Sequence, residues 1–261
     1  MELFRFCCCW FVVLYGAEAA VAKEVDLHYL VVVDSAEPYQ IKHRSPGSDY
    51  GITSGGVVSD LLREIFTGTD VVIKEVYLPV KRVAQYVTNP ESPDWVSYGS
   101  PRWSSESAKQ QTDFLSPALF TQRHSLVSLR KKGQRHQDYD DLRGKYLILI
   151  TGYRYGFLDE LVRDYGVEAY RTNSHANAVK MLAAGRGDYY LAHDMKARWT
   201  IRQLGVAEER FEFHEFRKNT SDAKVGITVK KNLSPDLRAH LERGLSQLQA
   251  SGRLQEIIGR Y

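Results

Sequence analysis

A short turn between a predicted strand and a predicted helix carries two aromatic rings and an arginine. Tyr153, Arg154 and Tyr155 lie between Gly152 and Gly156, directly after the apolar run KYLILI and before a segment with apolar residues at helical spacing. The start of a helix offers free backbone N–H groups, and an arginine can donate two parallel hydrogen bonds to a carboxylate. The turn therefore predicts a wall of a site for a polar solute. The alternative is a surface turn with Arg154 in solvent.

Strands and helices alternate along the chain in two successive runs. DLHYLVVVD and KYLILI are typical of buried strands, whereas GGVVSDLLREIF and SHANAVKMLAAG have apolar residues at helical spacing. The polar segment 100–112, SPRWSSESAKQQT, predicts a loop. This alternation predicts parallel sheets covered by helices, arranged as two α/β lobes. Ligands bind outside the carboxyl ends of the strands in such sheets, and the turn after KYLILI lies at such an end.

The first 22 residues resemble a secretory signal. Arg5 is followed by the apolar run FCCCWFVVLY, which is too short to span a bilayer, and a small-residue cleavage site ends at Ala22. We therefore expect export to the periplasm with cleavage after Ala22, and a membrane anchor is the alternative. All three cysteines of the chain, at positions 7–9, lie in this signal. A mature chain without cysteine has no disulfide, no zinc–thiolate site and no cysteine nucleophile.

Charge and motifs exclude several classes of function. The chain of 261 residues carries a formal net charge of +3, and its basic residues are spread out rather than grouped in a stripe. No nucleic-acid partner is therefore expected. His175, His193 and His214 lack the spacing of metal ligands, and no nucleophile elbow or phosphate-binding loop is present. We expect no metal and no cofactor.

Six motifs occur in an order that is typical of one protein family. They are PY at 38–39, GGVVSDLLREIF, DFLSPALF, YDDLRGKYLILITG, AVKMLAAGRGDYYLAHD and LSQLQASGRLQEIIGRY. On these motifs the chain resembles the family 3 extracellular solute-binding proteins, which have the type II periplasmic binding protein fold. The resemblance implies an α/β chain of two lobes, with parallel or mixed sheets flanked by helices, a hinge and a central cleft. Residues 23–119 and 222–261 would form lobe one, and 120–221 would form lobe two.

The chain departs from the family where amino-acid binders hold their ligand. Ala108 or Lys109 stands where those proteins carry an arginine for the α-carboxylate. His193, followed by Asp194, stands where they carry an aspartate for the α-ammonium, and GYRYG replaces a turn that also holds the carboxylate. The resemblance therefore implies a solute-binding protein without implying an amino-acid ligand.

We predict that a small polar, carboxylate-bearing solute binds in the cleft and is passed to an ABC-type transporter or a membrane sensor, by a protein that is monomeric and not an enzyme. The predicted ligand-binding residues are Tyr39, Arg82, Tyr98, Arg102, Tyr153, Arg154, Tyr155, Ser174, His175 and Asp194. Simpler roles stay open for three of them: a helix cap for Ser174 and Asp194, and a helix-surface charge for Arg82. The alternative function is an exported enzyme on the same fold, similar to cyclic dehydratases, which would use His175, Asp194 or Glu37 as an acid or base.

Overall fold

The computed structural model describes residues 25–33, 36–42, 52–130, 138–153, 155–216 and 222–261. The predicted signal, its three cysteines and Arg154 lie outside these ranges, so their predicted roles stay predictions. The described chain forms two sheets with flanking helices, which we call the first lobe and the second lobe.

The sheet of the first lobe has six strands. They are β1 (Val25–Val32), β2 (Val71–Leu78), β3 (Trp95–Gly99), β4 (Thr112–Phe114), β5 (Phe120–Gln122) and β11 (Ala223–Lys230). Their order is β2-β1-β3-β11-β4, and β5 pairs with the other end of β11. β1 runs parallel to β2 and β3, whereas β11 runs antiparallel to β3. This sheet is therefore mixed rather than purely parallel.

The sheet of the second lobe has five strands. They are β6 (His124–Leu129), β7 (Tyr146–Ile150), β8 (Glu168–Thr172), β9 (Tyr189–His193) and β10 (Phe211–Glu215). Their order is β10-β6-β9-β7-β8. β7 runs parallel to β8 and β9, whereas β6 runs antiparallel to β9 and β10. The chain enters this lobe after β5 and leaves it before β11. Because β5 and β11 pair with each other, the two crossings lie side by side.

Eight α-helices and two short 3₁₀-helices occur in the described part of the chain. The first lobe has α1 (Val57–Phe66), α2 (Val80–Thr88), α3 (Glu106–Gln111), α7 (Pro235–Ala250) and α8 (Arg253–Gly259). The second lobe has α4 (Leu158–Tyr165), α5 (His175–Ala183) and α6 (Asp194–Gln203), with 3₁₀-helices at Tyr139–Leu142 and Glu208–Arg210. None of these helices is both long enough and apolar enough to cross a bilayer.

The start of α1 is built around Gly56. Its φ of 101° lies in the region that favours glycine, and a Cβ there would lie 2.6 Å from the Tyr39 carbonyl oxygen. This close approach lets the backbone N–H groups of Val57 and Val58 donate to the carbonyls of Pro38 and Tyr39, at 3.0 and 2.9 Å. The first turn of α1 thus holds the loop that carries Tyr39.

One sequence prediction of local structure was wrong. The polar segment 100–112 contains α3, whose first backbone groups are capped because Ser105 Oγ accepts from the N–H of Ala108 at 3.2 Å. The last 28 residues divide into α7 and α8 at Gly252, which has a φ of 76°. Ser234 is the N-cap of α7, and Pro235 lies in its first turn.

Candidate functional site

Tyr39 occupies the centre of an aromatic group in the first lobe. Gln40 fixes its loop to β1, because the Gln40 side chain accepts from the N–H of Val32 at 2.9 Å and donates to the carbonyl of Leu30 at 2.8 Å. The Tyr39 ring, only 1% exposed, stacks on Phe120 with centroids 5.2 Å apart and meets Tyr98 at 5.4 Å. The loop beyond β1, the end of β3 and the start of β5 therefore bring three rings together.

The second lobe presents a ring and an imidazole at the corresponding edge. Tyr153 follows β7, and its hydroxyl shares a hydrogen bond of 3.3 Å with Nε2 of His175. Nδ1 of His175 is hydrogen-bonded to the hydroxyl of Tyr190. Because β7 and β9 are parallel and α5 begins at the same edge, these side chains meet where the carboxyl ends of the strands lie.

Five side chains connect the two lobes, and we call them the cleft cluster: Tyr39, Gln122, His124, His193 and Lys196. Gln122 Nε2 donates to the Tyr39 hydroxyl at 3.0 Å and also to Nδ1 of His193. The rings of His124 and His193, which are paired across β6 and β9, have centroids 4.1 Å apart. The ammonium of Lys196 lies 5.3 Å from the centroid of the Tyr39 ring, as in a cation–π contact.

Burial keeps the histidines of the site uncharged at neutral pH. It lowers the pKa of His124 and that of His175 to about 4. Burial also lowers the pKa of His193 well below its ordinary value, and the neighbouring His124 and Lys196 add to this effect. Neutral imidazoles can both donate and accept hydrogen bonds, so these rings offer polar contacts without charge.

Lys196 supplies a buried cation. Its side chain is 6% exposed, and burial lowers the pKa of its ammonium to about 8, an effect that the charge of Glu37 opposes. At neutral pH the ammonium is therefore still largely protonated. Burial raises the pKa of Tyr153 to about 12 and also raises the pKa of Tyr98, so their phenols stay neutral.

Of the predicted site residues, the structure brings together Tyr39, Tyr98, Tyr153 and His175. Tyr155 is adjacent, but it packs in the core of the second lobe, where its hydroxyl accepts from the N–H of Ile150 at 3.1 Å.

The other predicted residues are exposed or have another visible role. Arg82 and Arg102 are exposed on the first lobe. Ser174 caps α5, where its hydroxyl accepts from the N–H of Asn177 at 3.1 Å.

Asp194 lies on the other face of the β6–β9 pair from the two histidines. Its side chain is hydrogen-bonded to Ser125, which is the next residue after His124 and so points to the opposite face. Burial raises the pKa of the Asp194 carboxyl, while the Ser125 hydrogen bond and the charges of Arg198 and Arg123 oppose that rise. Its carboxylate therefore already has two cations nearby.

Sequence reasoning did not place Gln122, His124, His193 and Lys196 in the predicted binding set. The available signal was the strand end LAHDMK, which brings His193 to the same edge as Tyr153 and starts the helix that carries Lys196. A buried lysine is rare in proteins, so its position could only be found from the packing of α6 against the Tyr39 loop.

A cavity of ≈ 520 Å³ lies at the opposite edge of the second-lobe sheet. It is lined among others by Tyr146, Tyr170, Met181 and Arg186, and the rings of the two tyrosines stack with centroids 5.7 Å apart. Tyr146 begins β7, whereas Tyr153 follows the end of that strand, so this cavity is separate from the cleft cluster. Among the described residues, no group of three or more histidines, cysteines or carboxylates is arranged to hold a metal ion.

Comparison with solved structures identifies the architecture. Substrate-binding domain 2 of Lactococcus lactis GlnP, in an open conformation, has a TM-score of 0.67 at 19% identity, over 92% of this chain and 96% of that one. The chain has the two-domain periplasmic binding protein fold. AbpA of Streptococcus pneumoniae, an amino-acid ABC transporter substrate-binding protein bound to L-arginine, gives 0.60 at 16% identity, over 90% of this chain and 93% of that one. No protein-family model and no curated protein matches the chain.

The predicted fold class is thereby confirmed, since two sheets flanked by helices match these neighbours. One further neighbour is a histidine kinase sensor domain with similarity to periplasmic binding proteins, with a TM-score of 0.59 at 20% identity, over 92% of this chain and 96% of that one. These solved neighbours are binding proteins and a sensor domain rather than enzymes. The same fold therefore occurs in an ABC transporter substrate-binding protein and in a histidine kinase sensor domain.

Proposed function

We propose that the protein is exported to the periplasm, binds a small polar, carboxylate-bearing solute between its two lobes, and delivers it to a membrane partner. The observation that carries this proposal is the cleft cluster, in which one buried cation and several neutral polar rings meet where the lobes face each other. A carboxylate would gain a charge-assisted hydrogen bond from Lys196 and further hydrogen bonds from the phenol and imidazole groups.

Closure of the lobes on the solute would complete the site. Tyr39 and Tyr98 belong to the first lobe, whereas Tyr153, His175 and Lys196 belong to the second. A solute that contacts both sets gains more free energy in the closed state than in the open state, and so it shifts the population toward closure. The closed form is what a membrane partner could distinguish from the empty protein.

Binding without catalysis fits the surroundings of the candidate acids and bases. Both ring nitrogens of His175 are engaged by tyrosine hydroxyls, and the charges of Arg198 and Arg123 act on the Asp194 carboxylate. A general acid or base needs to reach the substrate proton directly or through one water. We therefore propose a monomeric binding protein without cofactor. The partner is an ABC-type permease or a sensor, and the latter is suggested by the sensor-domain neighbour.

A thermal-shift screen of small acids, amines, sugars and peptides tests this proposal. We expect a carboxylate to raise the melting temperature of the wild-type protein and to have a much smaller effect on Tyr153→Ala. Tyr170→Ala is the matched control, because Tyr170 is also a second-lobe tyrosine but lies 42% exposed beside the separate cavity. Equal responses of the two variants to every hit would contradict binding in the cleft.

A further inference from the structure

The second lobe has a cavity of its own, at the edge of its sheet where β7 begins. Its volume of ≈ 520 Å³ falls within the range of about 300–1,000 Å³ that small-molecule sites occupy. Arg186 and Asp188 line it from the turn between α5 and β9. Met181 lines it from α5, and Leu129 lines it from the end of β6. No residue predicted to bind the cleft solute lines this cavity, so a ligand here would be a second one.

Two exposed tyrosines form one wall of the cavity. Tyr146 is 40% exposed and Tyr170 is 42% exposed. The register of β7 and β8 pairs Tyr146 with Glu168, so Tyr170, two residues further on, lies on the same face of the sheet. The two ring planes are 14° apart and the centroids are 5.7 Å apart. Because the rings are nearly parallel and exposed, a ligand ring can continue the stack on an outer face.

Three polar groups of the cavity are available to a ligand. They are the guanidinium of Arg186, the hydroxyl of Tyr170 and Oδ1 of Asp188, and none of them has a hydrogen-bond or ion-pair partner among the described residues. The other carboxylate oxygen, Oδ2 of Asp188, accepts from the backbone N–H of Tyr146 at 2.9 Å, which fixes the carboxylate beside the rings. The cavity therefore offers a donor, an acceptor and a hydroxyl that can act as either.

Charges of both signs surround this wall. Arg186 contributes a cation and Asp188 an anion. Glu168 is the main cause of the raised pKa of the Tyr146 phenol, with Tyr170 adding to it, so a second carboxylate lies close to the rings. An anionic ligand would be repelled by two carboxylates, and a cationic one would be repelled by the guanidinium. A neutral ligand that carries both donors and acceptors avoids both repulsions.

A pyranose ring has the chemistry that such a wall can recognise. One of its faces carries C–H groups that pack on an aromatic ring, and its edge carries neighbouring hydroxyls. A guanidinium donates two parallel hydrogen bonds and a carboxylate can accept two, so each can pair with a pair of neighbouring hydroxyls. Each sugar hydroxyl both donates and accepts, so one neutral molecule can satisfy the arginine and the aspartate together.

We propose that this cavity is a saccharide site, in which a pyranose ring stacks on Tyr170 and its hydroxyls pair with Arg186 and Asp188. The site is separate from the solute cleft and does not depend on the function proposed for that cleft. A free sugar and a unit of a glycan chain share this chemistry, and the length of the saccharide distinguishes these two sources.

Saturation-transfer NMR of the folded protein tests the proposal. The saccharide probes are D-glucose, D-galactose, N-acetyl-D-glucosamine, cellotetraose and chitotetraose, and uridine and benzoate represent a neutral base and a ring anion. We expect at least one saccharide to receive saturation, mainly at the C–H protons of one ring face. Tighter binding of a tetrasaccharide than of its monosaccharide would identify a glycan chain as the source, and equal binding would identify a free sugar.

Two tyrosine variants locate the bound saccharide. Tyr170→Ala should weaken its binding by at least about tenfold, because the stacking contact and the area that it buries are lost. Tyr153→Ala, which removes a ring from the cleft in the same lobe, should leave saccharide affinity unchanged. Weaker binding in Tyr153→Ala with unchanged binding in Tyr170→Ala would place the saccharide in the cleft and overturn the proposal.

Two arginine variants test the polar part of the site. Arg186→Gln should weaken saccharide binding by about tenfold, the usual effect of losing a bidentate donor. Arg243→Gln is the matched control, because Arg243 is an exposed arginine on α7 of the first lobe. Circular dichroism of each variant checks that it is folded. Unchanged affinity in folded Arg186→Gln would overturn the assignment of Arg186.

The remaining outcomes are equally decisive. If no saccharide receives saturation, the proposal is wrong. If uridine or benzoate binds, no saccharide does, and Tyr170→Ala weakens that binding, the cavity takes another class of ligand and the saccharide assignment is wrong. Each of these results leaves the proposed function of the cleft standing, because that function is tested by carboxylate binding and by Tyr153→Ala.

Discussion

Replacing Lys196 by methionine should stabilise the ligand-free protein even though it removes a binding group. Burial lowers the pKa of this ammonium from its ordinary 10.5 to about 8. Because one pKa unit corresponds to about 1.4 kcal/mol, the folded protein carries a penalty of about 3 kcal/mol at pH 7 for holding the charge. Methionine fills a similar volume without that charge. We therefore expect the free energy of unfolding to rise by up to about 3 kcal/mol.

The pH dependence of this difference has a definite sign. The folded pKa of Lys196 lies below the unfolded one, so between about pH 8 and 10.5 the unfolded state binds more protons and the stability of the wild type rises with pH. The penalty is complete below pH 8 and relieved above 10.5. The advantage of the methionine variant should accordingly shrink toward zero across this window.

Urea unfolding of the ligand-free proteins, followed by circular dichroism from pH 7 to 10.5, measures both effects. Lys180→Met serves as the control, because Lys180 lies on the exposed side of α5 in the second lobe. Removing an exposed ammonium should change the free energy of unfolding by no more than about 0.5 kcal/mol. A Lys196→Met protein that is less stable than the wild type at pH 7 would refute the buried-charge penalty. A stability difference of the same size at every pH would refute it as well.

Three other perturbations have outcomes that the geometry determines. Gly56→Ala should lower the free energy of unfolding by at least about 2 kcal/mol, because residue 56 has a positive φ and an alanine Cβ there would clash with the Tyr39 carbonyl. Urea titration measures this loss. The affinity for a carboxylate should stay constant from pH 6 to 7.5 and fall by up to about tenfold per pH unit above pH 8, because Lys196 of the ligand-free protein loses its proton there. Isothermal titration calorimetry across this pH range measures the change in affinity. Ser174→Ala should cost about 1 kcal/mol of stability through loss of the cap and leave ligand affinity unchanged; weaker binding would instead place Ser174 in the site.

The order of strands and helices could be predicted from the sequence because hydrophobic periodicity is a local property. The apolar stripe of α1 and the buried run of β7 both follow their sequence patterns. The helix α3 could not be predicted this way, since its six residues bury only Ala108 and so leave no apolar stripe to detect. The antiparallel position of β11 depends on the return of the chain to the first sheet, which no local pattern specifies.

The candidate site was predictable only where it follows strand ends. Tyr98 and Tyr153 lie at or just after a strand end, Tyr39 lies in the loop beyond β1, and His175 begins α5, so position along the chain pointed to all four. His124 contacts His193 because of the register of β6 and β9, although the two residues are almost 70 positions apart in the sequence. Lys196 contacts Tyr39 because the two lobes touch each other there. Such contacts are set by tertiary packing, which a single sequence does not encode in any local pattern.

Native mass spectrometry of the protein purified from the periplasm without denaturation tests the central claim most directly. Wild-type protein should carry a small polar carboxylate that is released on denaturation, and Lys196→Met purified in parallel should be empty. Release of the same molecule in equal amount from both proteins, or of a molecule without a carboxylate from the wild type, would contradict a cleft in which Lys196 holds the carboxylate of the solute.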